Sequence, residues 1–279
     1  ARTPAEELEL IRTARVAVGL NVDEELLAAA EELELFACVF AGTGHLPRDL
    51  LADHGVAVTN ASGVHGPNIA EHVVGSMIAH ARQFHRAYRQ QTRREWRTYE
   101  TTELYDSTVS VVGLGAIGRA VVDRLEAFDV DTVGVRYSPE KGGPTDEVYG
   151  FDEFHEAVTG AEYVVLACPL TETTRGLVDA DALRTMRADA VLVNIARGPI
   201  VDTDALVTEL RNNRIRGAAL DVTDPEPLPE DHPLWGLSNA TITPHNAGHT
   251  PEYYERVADI LADNVARLNA GDELRNRVV

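Results

Sequence analysis

Three side chains that could carry acid–base and electrostatic chemistry, Arg197, Glu226 and His245, each follow a strand-like run in the second half of the chain. Taken singly, they have ordinary explanations: the arginine could cap a turn, the glutamate could be a surface acid, and one histidine among 10 is more often structural. In a doubly wound sheet, however, ligands bind beyond the carboxyl ends of the strands, where all three are expected. Imidazole transfers protons near neutral pH, a carboxylate can orient it, and a guanidinium stabilises a developing alkoxide. Their joint placement therefore predicts a catalytic site.

A glycine-rich turn precedes these residues in the sequence. Gly113, Gly115 and Gly118 form the pattern G-x-G-x-x-G between the strand-like run Val109–Val112 and the helical run Arg119–Ala127. The first glycine permits a tight turn, the second lets a pyrophosphate approach the backbone, and the third allows close packing of helix on strand. Amides at the helix N-terminus, including those of Ala116 and Ile117, would face the phosphates. A ligand-free turn is the alternative, but the strand before and the helix after favour dinucleotide binding.

The end of the next strand distinguishes the two nicotinamide dinucleotides. An acidic residue that binds the adenosine ribose is expected there, ~20 residues after the first glycine. This chain instead has Arg136, followed by Tyr137 and Ser138, with Lys141 nearby. An arginine at this place can pair with a ribose 2′-phosphate, and a hydroxyl can join it. A solvated arginine is the alternative, but two cations without a carboxylate on the strand favour NADP(H).

The elements that position these residues are predicted to form an α/β fold. Near-continuous apolar runs indicate parallel strands buried on both faces, and helical runs separate them. The predicted strands of a doubly wound sheet are 109–112, 132–135, 163–167, 190–193, 218–221 and 241–243, and those of a smaller flavodoxin-like α/β unit are 15–20, 36–40 and 56–59. Predicted helices are 24–32, capped by Asp23, one or two helices over 67–97, and 251–269. We therefore predict a dinucleotide-binding domain over 73–248 and a substrate domain formed by 1–72 and 249–279.

Charge excludes several classes of function. The chain has 45 Asp and Glu residues against 25 Lys and Arg, a net charge of −20, and Lys141 is its only lysine. Such a field repels nucleic acid and anionic membranes, whereas an acidic, lysine-poor surface suits very high salt and predicts a halophilic source.

The N-terminus lacks the pattern of a signal peptide, and no apolar run reaches the ~20 residues of a membrane span, so a cytoplasmic protein is expected. Cys38 and Cys168 lie in apolar runs and are predicted to be buried free thiols.

Four motifs in this order identify a resemblance: Gly113–Gly118, Asn194–Gly198, Leu220–Pro229 and Thr243–Gly248. The chain from about Arg15 to Val279 resembles the D-isomer-specific 2-hydroxyacid dehydrogenases, and most closely their glyoxylate/hydroxypyruvate reductase branch. The resemblance implies reduction of a 2-oxo acid by hydride transfer from a nicotinamide dinucleotide, with His245 as the general acid. It also implies that the catalytic residues are Arg197, Glu226 and His245, and that the substrate carboxylate binds Arg197 and the backbone amides of Ala41 and Gly42.

The same resemblance implies further contacts. Family members hold the cofactor through residues that correspond here to Cys168, Pro169, Thr174, Ile195, Ala196, Asp221, His245 and Gly248. A homodimer through residues 73–107 is implied, and no catalytic metal is expected. That segment carries arginines interleaved with aromatic residues, and we expect these arginines to pair with acidic neighbours: Arg82, Arg86, Arg89, Arg93, Arg94 and Arg97.

Two other interpretations remain open. Some proteins of this fold act as dinucleotide-sensing corepressors rather than enzymes, and others are NAD-dependent phosphoglycerate-type dehydrogenases, which Arg136 disfavours. Assays of NADPH and NADH oxidation with several 2-oxo acids would separate the three. The family also opens with a strand before the helix predicted at Pro4–Ile11, so either the protein is short or its start is absent, and the edge of the substrate domain is expected to differ.

Overall fold

The computed structural model describes residue 1 and residues 3–279. The helices are α1 (Pro4–Ile11), α2 (Glu24–Ala29), α3 (Arg48–Asp53), α4 (Gly66–Ala81), α5 (Phe84–Thr92), α6 (Ala116–Leu125), α7 (Phe154–Thr159), α8 (Ala180–Thr185), α9 (Thr203–Arg211) and α10 (Tyr253–Ala270). The strands are β1 (Val16–Gly19), β2 (Leu35–Cys38), β3 (Ala57–Thr59), β4 (Thr108–Val112), β5 (Asp131–Val135), β6 (Glu147–Tyr149), β7 (Tyr163–Leu166), β8 (Val191–Asn194), β9 (Gly217–Leu220) and β10 (Ala240–Ile242). Among the described helices, none combines the length and the apolar character needed to cross a bilayer.

The chain divides into two compact units. The first comprises Ala1–His65 with Thr250–Val279, and the second comprises Gly66–His249. The junction that we predicted between residues 72 and 73 falls inside α4, whose first turn already packs on α6: a Cβ added to Gly66 would lie 3.3 Å from the Ala120 methyl group. Because a helix packs as one body, the whole of α4 belongs to the second unit.

The first unit contains a parallel sheet in the order β1-β2-β3. Leu27 of α2 and Leu51 of α3 are buried against apolar side chains of this sheet. Asp23 caps α2 as predicted, since its Oδ1 accepts a hydrogen bond from the Leu26 amide at 2.9 Å. Cys38 lies in this core, and both it and Cys168 are buried and free, which confirms the prediction for the two thiols.

The second unit is a doubly wound sheet in the order β10-β9-β8-β7-β4-β5-β6, and its neighbouring strands are parallel. One apolar cluster contains residues of α4 and α6, and another contains residues of α7, α8 and α9, so both faces of the sheet are covered. This confirms the predicted fold class. The strand order reverses between β4 and β7, which places a ligand crevice at their carboxyl ends. Strand β6 was not predicted, because its three residues lie at a sheet edge and include an exposed glutamate.

The arginines of the segment 82–97 correct a second expectation. In the described part of the chain, none of Arg82, Arg86, Arg89, Arg93, Arg94 or Arg97 forms an ion pair with a carboxylate. Arg86 instead stacks over Tyr99, 4.9 Å from the ring centroid, and Arg89 donates to the Ser238 carbonyl at 3.0 Å. The expectation of acidic neighbours is therefore wrong within the described chain.

The buried histidine His80 of α4 is expected to make folding stability depend on pH. Its side chain is 3% exposed, and its Nε2 lies 3.1 Å from Thr241 Oγ1. Burial, with smaller contributions from His85 and Arg216, lowers the pKa of His80 from 6.5 to about 3. The unfolded chain therefore binds a proton below pH 6.5 that the folded chain does not bind until about pH 3. Stability from this group is complete above pH 6.5 and is lost as the pH falls, by about 2 kcal/mol at pH 5.

Urea unfolding of the protein and of His80→Gln at pH 7 and pH 5 measures this effect. The difference in unfolding free energy between the two proteins should shrink by about 2 kcal/mol on acidification. The exposed His155 provides a control, since His155→Gln should keep a constant difference from the parent protein. A constant difference for His80→Gln as well would contradict the prediction.

Candidate functional site

His245 and Glu226 form a hydrogen-bonded pair beyond the carboxyl ends of β10 and β9. His245 Nδ1 lies 3.0 Å from Glu226 Oε2, and both side chains are partly accessible, at 52% and 39%. The other carboxylate oxygen of Glu226 accepts a hydrogen bond from the Thr223 amide at 3.1 Å. The carboxylate is thus held by its own loop and orients the imidazole. With Nδ1 engaged, Nε2 is the ring atom that is available for proton transfer.

Asp221, at the end of β9, fixes the loop that carries His245. Its side chain is 3% exposed and accepts hydrogen bonds from the Thr243 hydroxyl and from the amides of Asn246 and Ala247, at 2.8 and 3.0 Å. The His245 amide donates to the Asp221 carbonyl at 2.8 Å, and His245 itself has a φ of +51°. Asp221 was predicted to contact the cofactor, and the structure gives it these protein partners. No local sequence signal indicates them, because the donors come from a loop that follows β10.

Arg197 lies in the loop after β8, and Asn194 shapes this loop. The Asn194 side chain accepts from the Ala196 amide at 3.0 Å and donates to the Arg197 carbonyl at 3.1 Å. The exposed guanidinium of Arg197 donates from Nη1 to the Ala196 carbonyl at 2.6 Å. A Cβ added to the next residue, Gly198, would lie 1.9 Å from the Thr223 carbonyl oxygen. The Arg197 loop therefore lies directly against the loop whose Thr223 amide holds Glu226.

A cavity of about 420 Å³ adjoins this pair. Its polar lining includes Asp221, Glu226 and His245, and its apolar lining includes Leu228 and Trp235. The Trp235 indole donates to the Pro229 carbonyl at 2.9 Å, which fixes the ring against the Glu226 loop. Sequence reasoning missed Leu228 and Trp235, since nothing in their local pattern separates them from ordinary loop residues. The arrangement offers a proton donor and an apolar wall in one cavity.

The glycine-rich turn has the geometry of a phosphate cradle. Gly113 has a φ of +103°, and a Cβ there would lie 2.7 Å from the Cys168 amide nitrogen. A Cβ on Gly118 would lie 1.9 Å from the Gly113 carbonyl oxygen, so only glycine permits this approach of α6 to β4. By contrast, no described atom lies within 4 Å of a Cβ built on Gly115. Helix α6 then begins at Ala116 without a cap from any described side chain. Open space before uncapped amides fits a bound pyrophosphate.

A second cavity, of about 390 Å³, brings together most of the predicted adenosine-side residues. It is lined by Gly113, Leu114, Gly115, Arg136, Tyr137, Ser138, Phe151, Cys168, Pro169, Thr171, Thr173 and Thr174. Of these, Leu114, Phe151, Thr171 and Thr173 were missed, and Phe151 could not be placed because it follows the unpredicted strand β6. Arg136 Nη1 donates to the Gly142 carbonyl at 2.5 Å, which keeps the guanidinium beside the turn that contains Lys141.

Cys168 and Thr174 give this cavity a neutral, ordered wall. Burial raises the pKa of the Cys168 thiol to about 11, so the thiol is uncharged at neutral pH. Thr174 is buried, and its hydroxyl donates to the Pro169 carbonyl at 2.7 Å and accepts from the Thr171 amide at 2.8 Å. The hydroxyl of Thr174 therefore orders the loop.

The remaining predicted residues lie outside these two cavities. Ile195 and Ala196 are buried in the Arg197 loop, and Gly248 follows Ala247 in the sequence of the His245 loop. Ala41 and Gly42 lie in the first unit, in the exposed loop after β2. Asn60 donates to the Ala41 carbonyl at 2.7 Å, and no described atom comes within 4 Å of a Cβ built on Gly42. The backbone of this loop is therefore accessible to solvent at Ala41 and Gly42.

The chain is similar in sequence and in structure to known proteins. A sequence profile described as "D-isomer specific 2-hydroxyacid dehydrogenase, NAD binding domain" matches residues 74–247. A glyoxylate reductase from Thermofilum pendens is 34% identical over an alignment of 284 positions, which covers 96% of this chain and 83% of that protein. A D-3-phosphoglycerate dehydrogenase from Methanocaldococcus jannaschii is 33% identical over an alignment of 282 positions. This alignment covers 99% of this chain and 54% of that protein, so this chain spans about half of its length. A crystal structure from Xanthobacter autotrophicus Py2, a D-isomer specific 2-hydroxyacid dehydrogenase in complex with NADPH and MES, aligns with a TM-score of 0.75 at 30% identity and covers 96% of this chain and 85% of that one.

Proposed function

Because the chain belongs to the D-isomer-specific 2-hydroxyacid dehydrogenase family, we propose that it reduces 2-oxo acids to D-2-hydroxy acids with NADPH, and that His245 is the general acid. The observation that carries this proposal is the His245–Glu226 pair, with Nδ1 and Oε2 3.0 Å apart beyond the ends of two adjacent parallel strands. The Arg197 loop lies against the loop that holds Glu226. A proton donor, its orienting carboxylate and a fixed positive charge thus occupy one end of the sheet.

The reduction adds a hydride to the carbonyl carbon and a proton to the carbonyl oxygen. A reduced nicotinamide dinucleotide supplies the hydride when bound in the crevice at the glycine turn. His245 supplies the proton from Nε2, while Glu226 accepts the hydrogen bond from Nδ1–H and stabilises the imidazolium. The electron pair of the C=O π bond becomes the new O–H bond, and His245 is left neutral. Proton transfer from solvent then restores the imidazolium for the next turnover.

Arg197 stabilises the charge that develops on the substrate. Its guanidinium is exposed and, among the described residues, donates one hydrogen bond, from Nη1 to the Ala196 carbonyl, which leaves its other donors for ligands. A guanidinium binds a carboxylate through paired hydrogen bonds and also stabilises the alkoxide that forms in the transition state.

NADPH is proposed as the preferred cofactor because of the charge at the end of β5. Arg136 directly follows this strand, and Tyr137 and Ser138 line the same cavity. The carbonyl of Gly142 occupies one guanidinium nitrogen of Arg136, and the remaining donors can bind a 2′-phosphate. The relative from Xanthobacter autotrophicus Py2 was crystallised with NADPH, which supports this choice. An NAD-dependent phosphoglycerate-type dehydrogenase is the alternative, and the relative from Methanocaldococcus jannaschii supports it.

Oxidation of NADPH and NADH, each with glyoxylate, hydroxypyruvate, longer 2-oxo acids and 3-phosphohydroxypyruvate, tests the proposed function. We expect turnover with small 2-oxo acids and a preference for NADPH. The net charge of −20 predicts more activity in molar KCl than in dilute buffer. Oxidation only with 3-phosphohydroxypyruvate and NADH would support the phosphoglycerate-type alternative. The absence of oxidation with every substrate at both salt concentrations would overturn the proposed enzyme activity.

The proposed assembly is a homodimer through residues 73–107. This segment exposes large aromatic side chains, with Tyr88 67% and Trp96 100% accessible. Exposed aromatic residues of this kind are typical of partner surfaces. Sedimentation velocity of the full chain and of Trp96→Ala over one series of protein concentrations tests the proposal. The parent protein should sediment as a dimer, and the variant should already be dissociated at concentrations at which the parent is still dimeric.

A further inference from the structure

A basic cavity of about 420 Å³ lies in the second unit, away from the residues of the proposed catalytic site. Five arginines line it: Arg86, Arg89, Arg93, Arg97 and Arg216. These are five of the 25 Lys and Arg residues of a chain whose net charge is −20. Glu95 is the single carboxylate among the described residues that line this cavity. Positive charge is thus concentrated here in a chain that otherwise carries excess negative charge.

Three of these arginines contact neutral groups. Arg216 donates to the Thr102 hydroxyl at 2.7 Å and to the Tyr163 hydroxyl at 3.1 Å, and its buried Nε has no partner among the described residues. Arg89 donates to the Ser238 carbonyl, and Arg86 stacks on Tyr99. Arg216 is partly buried, whereas the other four arginines are exposed. Neutral acceptors satisfy hydrogen bonds but do not compensate charge, which is unfavourable for the partly buried Arg216. Glu95 is the one carboxylate among the described lining residues, so five positive charges at the cavity face a single negative charge.

Two histidines also line the cavity, and one of them has a buried ring nitrogen without a hydrogen-bond partner among the described residues. This atom is Nδ1 of His85. His80 also lines the cavity, and the two ring centroids are 5.1 Å apart. Burial and the nearby Arg89 lower the pKa of His85. The neutral imidazole supplies a hydrogen-bonding atom rather than charge, so the five arginines carry the attraction for an anion.

The basic cavity and the proposed catalytic site lie at opposite ends of the same strands. Arg216 immediately precedes β9, and Ser238 and Asn239 precede β10. Asp221 and His245, by contrast, follow the carboxyl ends of these strands. Because β9 and β10 are parallel, their starts share one edge of the sheet and their ends share the other. The basic cavity is therefore a separate site.

Helix α5 carries its basic and its aromatic side chains on different sides. At 100° per residue, His85, Arg86, Arg89, Gln90 and Arg93 fall on one side of the helix, and all five line the cavity. Phe84 and Tyr88 fall on the other side and are exposed. The aromatic side suits a protein partner, whereas the basic side encloses a volume suited to a small anion.

We propose that the basic cavity binds a small oxyanion with at least two negative charges, such as inorganic phosphate or a phosphate monoester. Guanidinium groups match the oxygens of phosphate through paired, charge-assisted hydrogen bonds. Several arginines around one cavity bind such an ion more strongly than a monovalent anion, because the attraction scales with its charge. Occupation of this site compensates the arginines and stabilises the folded second unit.

Calorimetric titration of the full chain with inorganic phosphate, at constant ionic strength in KCl and with saturating NADP⁺, tests the proposal. We expect saturable binding and at least a ten-fold weaker Kd for Arg89→Gln/Arg93→Gln. The control Arg82→Gln/Arg94→Gln removes the same two charges from the same segment at residues that do not line the cavity, and it should keep the parent affinity. Repeating the titration with glycerol phosphate shows whether the free ion or the monoester binds more tightly. Circular dichroism confirms that the variants are folded.

Three results would overturn the proposal. Binding that persists unchanged in the double variant would place the phosphate elsewhere, including at the cofactor site. If titration with chloride alone gives the same heats as titration with phosphate, the signal comes from ionic screening and not from a binding site. Loss of the dimer in Arg89→Gln/Arg93→Gln, with no phosphate binding to the parent dimer, would show that carboxylates of a second copy fill the cavity. None of these results bears on 2-oxo acid reduction, which is assayed separately.

Discussion

His245→Asn is expected to lower kcat for reduction of 2-oxo acids by about 10²–10⁴-fold, the usual contribution of a positioned general acid. The Kd for NADPH should stay within about three-fold, because the glycine turn and the adenosine-side cavity are formed by other loops. Asparagine is preferred to alanine here because His245 has a φ of +51°, a conformation that asparagine tolerates better than most residues. Steady-state kinetics with glyoxylate and fluorescence titration with NADPH measure the two quantities.

Two further variants make this result specific. His249→Asn changes an exposed histidine that follows the same loop, and it should leave kcat within two- to three-fold. Glu226→Gln keeps the size of the side chain but removes the carboxylate from its 3.0 Å contact with Nδ1. It should lower kcat by about 10–100-fold, since the imidazole loses the carboxylate that orients it. Turnover within a few-fold of the parent protein in His245→Asn would show that another group donates the proton.

The elements that sequence predicted well are those with strong local signals. Near-continuous apolar runs identified β7 and β8, whose residues are all buried, and the glycine spacing identified the turn into α6. Weaker local signals failed. Strand β6 has three residues at the sheet edge, and the unit boundary falls before Gly66 rather than between residues 72 and 73, because the first turn of α4 packs against Ala120. Tertiary contacts decided both features.

The candidate site shows the same limit. Strand ends placed Arg197, Glu226 and His245 at one edge of the sheet, and the structure brings the loops that carry them into contact. The role of Asp221 in fixing the His245 loop could not be predicted, because its amide donors come from residues 246 and 247, beyond the next strand. The ion pairs expected for the arginine-rich segment failed for a related reason: composition gives the number of acidic residues but not which side chains face one another.

Arg136→Asp is expected to lower the ratio of kcat/KM for NADPH to that for NADH by about 10²–10³-fold. The substitution removes charge-assisted hydrogen bonds to the 2′-phosphate, each about 1.5–3 kcal/mol, and places a like charge beside that phosphate. It also supplies a carboxylate that can accept the ribose 2′-hydroxyl of NADH. Lys141→Gln, in the adjacent exposed turn, should change the ratio by only a few-fold. Arg211→Asp makes the same change of charge in an exposed residue of α9 and should leave the ratio unchanged, which separates a local effect from a change in net charge. An unaltered ratio in Arg136→Asp would mean that the cofactor is recognised without this arginine, and NADH would then be as good a candidate as NADPH.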